Sequence, residues 1–340
     1  MKNLIHNTIE TSLSFIRFPF LQKISKIELT IPFYHIVSDN RNELIANLYR
    51  YRTVNEFKRD LDFFQKHYNI ITLADLLKNK KEQKKLPQNA LLLTFDDGMK
   101  EMYEIVAPIL QQKGIPATFF LTTDFLNNKT LFFRNKVSLL IEFCCQNTKN
   151  INFQEIKKLF EKYGISFFEI EQNLRSLKFE HTPLIDELAN YIGLNFSEYL
   201  EKNKPYLEDN QVIELIDKGF SIGAHSINHQ LYKEVSKTEQ IRQTIESVNI
   251  IRNKYKLNYG VFAFPFSDIG VSANFFDEIS KSGFIDVVFS ADGFYSDECK
   301  FNYHRFWMEN TTQSAKQIVL KNMKEKFIRQ IKGTNCIARK

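Results

Sequence analysis

An apolar run that ends in two adjacent carboxylates constrains this chain of 340 residues more than any other feature. Residues 91–95, Leu-Leu-Leu-Thr-Phe, read as a strand buried on both faces, as in a parallel sheet. The strand delivers Asp96 and Asp97 to its carboxyl end, where α/β folds place their chemistry. Gly98 lets the backbone turn at once, and residues 99–113 carry helical periodicity. Two like charges side by side at a strand end are unfavourable unless a positive charge lies beside them. A metal cation is the simplest such partner; an Asp-Asp-Gly turn without a ligand is the plainer alternative.

A second short apolar strand, residues 220–224, runs directly into His225-Ser226-Ile227-Asn228-His229. Two histidines four apart can share a divalent cation when the turn brings their rings to one side. Both pairs sit at the carboxyl ends of predicted strands, and one Asp plus two His with an open position is a catalytic metal arrangement.

Thr94 to Gly98 (Thr-Phe-Asp-Asp-Gly) and His225 to His229 (His-Ser-x-x-His) together resemble the first and second motifs of the polysaccharide deacetylases with a NodB-homology domain, carbohydrate esterase family 4. The resemblance covers residues 27–126 and 209–310. It implies an α/β fold, a distorted and incomplete (β/α) TIM-like barrel, with residues 127–208 as a helical insertion between barrel strands. It also implies removal of the N-acetyl group from an amino sugar of a polysaccharide, oligosaccharide or glycolipid. Asp97, His225 and His229 would hold one divalent cation, zinc first, with cobalt or nickel as substitutes. Asp96 would be the general base. Pro265 and Phe266 fall in the third motif, as cleft wall, with the Phe266 backbone N–H as an oxyanion donor. His304 matches the fifth motif loosely as general acid; the alternative is that Arg305 occupies that position and another group is the acid. Two departures stand out: Ala263 replaces the arginine of the third motif, and no Trp follows Asp292 where the fourth has one. They keep open a non-catalytic glycan-binding relative, and the same three ligands would also serve a metal-dependent amidohydrolase acting on a non-sugar amide.

In chain order, residues 1–26 form an N-terminal helical segment whose stripe Ile5, Ile9, Leu13 and Ile16 suits packing on the domain. Pro32 makes the first strand, residues 27–37, an edge strand or an irregular one. His35 follows in a Tyr-His-x-Val segment of a kind found in many of the resembling proteins, and is either near the site or structural. Thr53 and Glu56 frame a capping box. A strand at 69–72, a helix at 73–77 and a charged solvated loop at 78–85 come next. The segment 127–208 offers helices at 137–143, 153–163 and 184–192 and no strand. Helices at 210–218, 237–254 and 273–282 then alternate with strands at 259–264 and 285–290, which implies right-handed crossovers and a parallel sheet. Residues 311–340 hold a basic helix at 314–332.

A chain with 43% hydrophobic and 25% charged residues has ample material for a core. Its net charge of +6 is spread along the sequence without a nucleic-acid-binding motif, which mildly favours anionic partners and argues against nucleic acid. The four cysteines lack framework spacing, so a reducing compartment is expected, with Cys144 and Cys145 as core residues of a helix. Residues 4–21 lack the core of a signal peptide or a membrane span. The expected location is therefore cytoplasmic, with peripheral membrane contact through the basic helix as a minority reading. Oligomeric state is left open.

Overall fold

The computed structural model describes residues 18–149 and 151–339, so the stripe Ile5, Ile9, Leu13 and Ile16 lies outside the described residues. Eight short strands carry the architecture: β1 (Pro32–Tyr34), β2 (Thr94–Phe95), β3 (Thr118–Leu121), β4 (Ser221–Ala224), β5 (Val261–Ala263), β6 (Val287–Ser290), β7 (Asn302–His304) and β8 (Phe306–Trp307). They form one parallel sheet in the order β7-β6-β5-β4-β3-β2-β1-β8. Only Arg305 separates β7 from β8, yet β7 bonds to β6 while β8 bonds to β1. One extended run thus reaches both edges of the sheet and curls it into a nearly closed barrel, the distorted (β/α) form expected.

Alternate residues along the strands fall into separate clusters, as strand geometry requires. Phe119, Leu121, Ile222 and Phe262 pack with the surrounding helices, while Phe120, Val261, Ala263, Val287 and Phe289 fill the interior. Gly223 belongs to this second face. A Cβ there would lie 2.6 Å from the Phe120 ring and 2.7 Å from Val261 Cγ2. Gly223→Ala is therefore expected to lower stability by about 1–3 kcal/mol through overpacking. The reading is a lower urea midpoint at constant m; an unchanged midpoint would show that the interior yields freely.

Several elements differ from the sequence expectation for identifiable reasons. Residues 91–95 do not form one strand: Ala90–Leu91 pairs with Leu29–Thr30 and Asn69–Ile70 in a separate three-stranded sheet, and Thr94–Phe95 joins the barrel. Pro32 likewise divides Leu29–Thr30 from β1, but β1 has neighbours on both sides, so Pro32 marks an irregular strand and not an edge. After Gly98 the helix starts with a π turn, Met102–Val106, before the α-helix Ala107–Lys113. Pro108 explains it, since a proline ring clashes with the carbonyl four residues back and has no N–H to donate. The helix Leu73–Glu82 runs through lysines expected in a loop, started by a Thr72–Asp75 capping box. Cys144 is buried as expected, whereas Cys145 is exposed.

The segment 127–208 contains the α-helices Phe133–Gln146, Phe153–Lys162, Ile170–Ser176, Thr182–Ile192 and Phe196–Asn203. Their apolar faces share a core with Ile36, Leu44, Ile45 and Met99. Its far end is tied to the Asp-Asp-Gly turn, because Leu207 N donates to Gly98 O and Lys100 N to Pro205 O. The helix Ala315–Ile331 buries Ile318, Val319, Met323 and Ile328 and packs on Phe18–Ser25 and Val54–His67. Asp60, paired with buried Arg52, accepts from the Ala315 amide at its start. No helix among the described residues is long and apolar enough to cross a membrane.

Candidate active site

Asp96 and Asp97 follow β2, His225 follows β4, Phe264 to Phe266 follow β5 and Ala291 follows β6, so parallel strands deliver all of them to one end of the barrel. The backbone there is bent. Asp97, Ser226, His229 and Phe266 all have φ between +58 and +74°, a region that non-glycine residues rarely adopt and that costs roughly 1–3 kcal/mol each. Two hydrogen bonds hold the second turn in shape: His229 N donates to Ser226 Oγ at 3.0 Å within the turn, and Ile227 N to Gln243 Oε1 of the following helix at 2.9 Å.

Ligand atoms of Asp97, His225 and His229, all buried, lie within 4.8 Å of one another. His229 Nε2 stands 3.1 Å and His225 Nε2 3.5 Å from Asp97 Oδ1, an atom with no hydrogen-bond partner of its own. His225 Nδ1 donates to the Ala263 carbonyl at 2.8 Å, which fixes the tautomer and leaves the Nε2 lone pair turned toward Asp97. Burial pulls the His225 pKa down to about 4, so the ring is neutral at pH 7. Burial alone would raise Asp97, but the neighbouring His229 outweighs it and holds the carboxyl well below its usual range. Two imidazole nitrogens and one orphaned carboxylate oxygen suit a zinc-like ion better than calcium or magnesium, which take oxygen ligands.

Asp96 is kept apart from this group by a different partner. Arg305 grips it through Nη1 at 2.7 Å and Nη2 at 2.8 Å. The guanidinium is fully buried, lies over the Phe33 ring (4.6 Å) and the Phe120 ring (5.3 Å), and donates from Nε to Ser290 O. Burial would raise the Asp96 pKa, yet Arg305 holds it below the ordinary value. Ala263 supplies no guanidinium here; the one that pairs with Asp96 comes from the strand run that closes the barrel.

The structure does not bring His304 to this centre. Successive residues of a strand face opposite sides, so with Arg305 turned inward His304 points away. It is buried against Ser290 Oγ (Nδ1, 2.5 Å) and Asp297 Oδ2 (Nε2, 2.9 Å), and does not line the cavity. His35 lines it instead. Its Nδ1 donates to Glu309 Oε2 at 2.6 Å, and Glu309 also accepts from Trp307 Nε1, His35 N and Ile36 N. Burial would lower the His35 pKa, but the Glu309 carboxylate, by charge and hydrogen bond, raises it to about 9. Pro265 is also misplaced by the sequence reading: it is buried and off the cavity wall, which takes Phe264 and Phe266. The Phe266 ring stands 4.6 Å from that of His229, and its N–H has no acceptor among the described residues.

These groups line a cavity of about 430 Å³, completed by Tyr49 and Trp307 and, from the segment 127–208, by Phe132, Arg134, Asn135 and Arg175. Glu309 and Trp307 were missed by the sequence reading. The spacing Arg305, Trp307, Glu309, every second residue of an extended run, was the available signal.

The family described as polysaccharide deacetylase matches residues 83–284. The poly-beta-1,6-N-acetyl-D-glucosamine N-deacetylase of Staphylococcus epidermidis is 26% identical over 161 residues, 45% of this chain and 50% of that protein. The match thus spans half the length of that relative. Among solved structures, the Streptococcus pyogenes deacetylase PplD in complex with acetate is similar with a TM-score of 0.55 at 15% identity, over 87% of this chain and 98% of that one. IcaB from Ammonifex degensii gives 0.53 at 14% identity, over 87% and 97%. At such identities the likeness is one of fold.

Proposed function

Since the chain belongs to the polysaccharide deacetylase family, we propose that it is a metal-dependent N-deacetylase acting on an N-acetylated amino sugar of a polysaccharide, oligosaccharide or glycolipid. Water would add to the acetamide carbonyl carbon, the C–N bond would break, and acetate and a free amine would leave. The observation that carries this reading is the buried trio Asp97, His225 and His229 next to a carboxylate, Asp96, that is held by a separate cation.

The three residues would hold one divalent ion, zinc in the first place, with cobalt or nickel as substitutes. Such an ion supplies Lewis acidity for a carbonyl and acidifies water. Asp96, kept ionised by Arg305, takes the proton of the attacking water. The Phe266 N–H is free to stabilise the developing oxyanion. His35, protonated at neutral pH because of Glu309, gives its proton to the departing nitrogen, the role that the sequence reading assigned to His304.

Acetate release from N-acetylated oligosaccharides of different linkage, with an aryl acetamide alongside, tests the reading. Turnover of at least one glycan is expected. Release from the aryl acetamide with none from any glycan would replace the sugar by a non-sugar amide, and binding of glycan with no release from anything would leave only a binding module.

A further inference from the structure

The cavity wall contributed by the segment 127–208 carries cationic groups for which deacetylation has no use. The acids in and behind the cavity wall already have partners: Asp96 is paired with Arg305, Asp97 faces His225 and His229 in the candidate metal site, and Glu309 is paired with His35. Arg175 gives Nε and Nη2 to Glu171 Oε1, at 3.0 and 2.7 Å, which leaves Nη1 unused by that pair. Arg134 has no carboxylate within ion-pair distance among the described residues. Its Nη1 donates to the Arg175 carbonyl at 2.7 Å, and its guanidinium lies 5.1 Å over the Phe133 ring. Glu234, the acid whose field reaches it, is paired with Lys178.

Burial pulls the Arg134 pKa down, the mark of a cation that has lost part of its water without gaining a counter-ion. Arg134 also sits in the first turn of the helix Phe133–Gln146, whose N-cap, Phe132, offers no side-chain acceptor. The positive end of that helix therefore adds to the same field. A planar fork of donors in such a place matches a carboxylate or a phosphate far better than it matches sugar hydroxyls.

We propose that Arg134, with Arg175 beside it, receives an oxyanion, a carboxylate or a phosphate, carried by the glycan near its N-acetylated sugar, so that the substrate is an anionic glycan. This rests on the deacetylase reading above.

The test compares kcat/KM for acetate release from neutral N-acetylglucosamine oligomers, from oligomers containing N-acetylmuramic acid, and from phosphate-bearing N-acetylglucosamine oligomers. It is run on the wild type, Arg134→Gln and Arg134→Lys. One class of charged substrate is expected to be preferred by roughly ten- to a hundredfold, the range for a hydrogen bond to a charged group. The preferred class identifies the anion. Arg134→Gln should cut that preference at least tenfold, and Arg134→Lys, which keeps the charge but loses the fork, should retain part of it. Equal rates on neutral and charged substrates in the wild type, or equal losses on both in Arg134→Gln, would overturn the proposal. If nothing releases acetate, the deacetylase reading fails and binding still decides this one. Calorimetry with N-acetylmuramic acid and N-acetylglucosamine 1-phosphate against N-acetylglucosamine supports it if the charged sugars bind more tightly and lose that advantage in Arg134→Gln. Equal binding of all three overturns it.

Discussion

Asp96→Asn is expected to lower acetate release roughly a hundred- to ten-thousand-fold, the usual range for losing a general base, while metal content stays at the wild-type level. Asp97→Asn should do the reverse in kind: the first loss is of metal affinity, because an orphaned carboxylate oxygen between two imidazoles becomes a neutral amide oxygen. Excess zinc should therefore restore part of the activity of Asp97→Asn and none of that of Asp96→Asn. The asparagine at 96 matters for the design. Arg305 is fully buried and its ion pair is with Asp96, so Asp96→Ala would strand a buried charge at a cost of about 3–5 kcal/mol and confuse unfolding with lost chemistry. Asparagine keeps an oxygen for the guanidinium, and a melting curve accompanies each variant. An Asp96→Asn protein that loses its metal while Asp97→Asn keeps it would reverse the two roles.

His35→Gln is expected to cost a similar hundred- to ten-thousand-fold in turnover, and His304→Gln to stay within about tenfold of wild type, if the acid is the histidine that lines the cavity. The pH profile gives an independent reading. Turnover should fall on the alkaline side near pH 9, where His35 gives up its proton. In Glu309→Gln the largest raising influence is gone, and burial is then opposed only by the weaker fields of Asp97 and Asp96. The alkaline limb should therefore move down from about 9 toward the ordinary histidine value of about 6.5. Stability follows with a definite sign. The folded pKa lies above the unfolded value of about 6.5, so the stabilisation from this pair is fully present below about pH 6.5 and is lost as pH rises through about 9. Glu309→Gln should flatten that slope. An alkaline limb that does not move in Glu309→Gln would assign the acid elsewhere.

The grouping of Asp97, His225 and His229 was legible in the sequence because each half of it is a contiguous motif at a strand end. Asp97 follows its strand directly, and Ser226 holds the His225–His229 turn through a bond to His229 N that a short segment can encode. Which histidine lines the cavity was not legible in the same way. His304 and Arg305 are neighbours on one extended run, and a shift of a single residue in the assignment exchanges the inward and outward faces. The alternation Arg305, Trp307, Glu309 carried that parity, but the polar His304 at the neighbouring position competes with it. His35 meets Glu309 across 274 residues of sequence, and only because β8 lies beside β1 when the barrel closes. That closure is a property of the whole sheet. The helix Leu73–Glu82 was shortened in the sequence reading because a run of lysines looked like a loop, although lysines favour helices and need only solvent on one side.

The segment 127–208 was read in the sequence as a helical insertion between barrel strands, without the residues that reach the cavity. Phe132, Arg134 and Asn135 reach the cavity because Leu207 and Pro205 bind the end of that segment to the turn that carries Asp96 and Asp97. A barrel strand end and a helical segment thus meet through backbone bonds that no local pattern announces.

The most direct test of the central claim is a zinc titration of protein stripped by a chelator, reading acetate released from poly-N-acetylglucosamine oligomers and other N-acetylated glycans. The account predicts no release from the stripped protein, a rise with added zinc to a plateau at one equivalent per chain, and no such rise in a variant with both His225 and His229 replaced by alanine. Full turnover by the stripped protein, or a rise that survives the loss of both histidines, would contradict it.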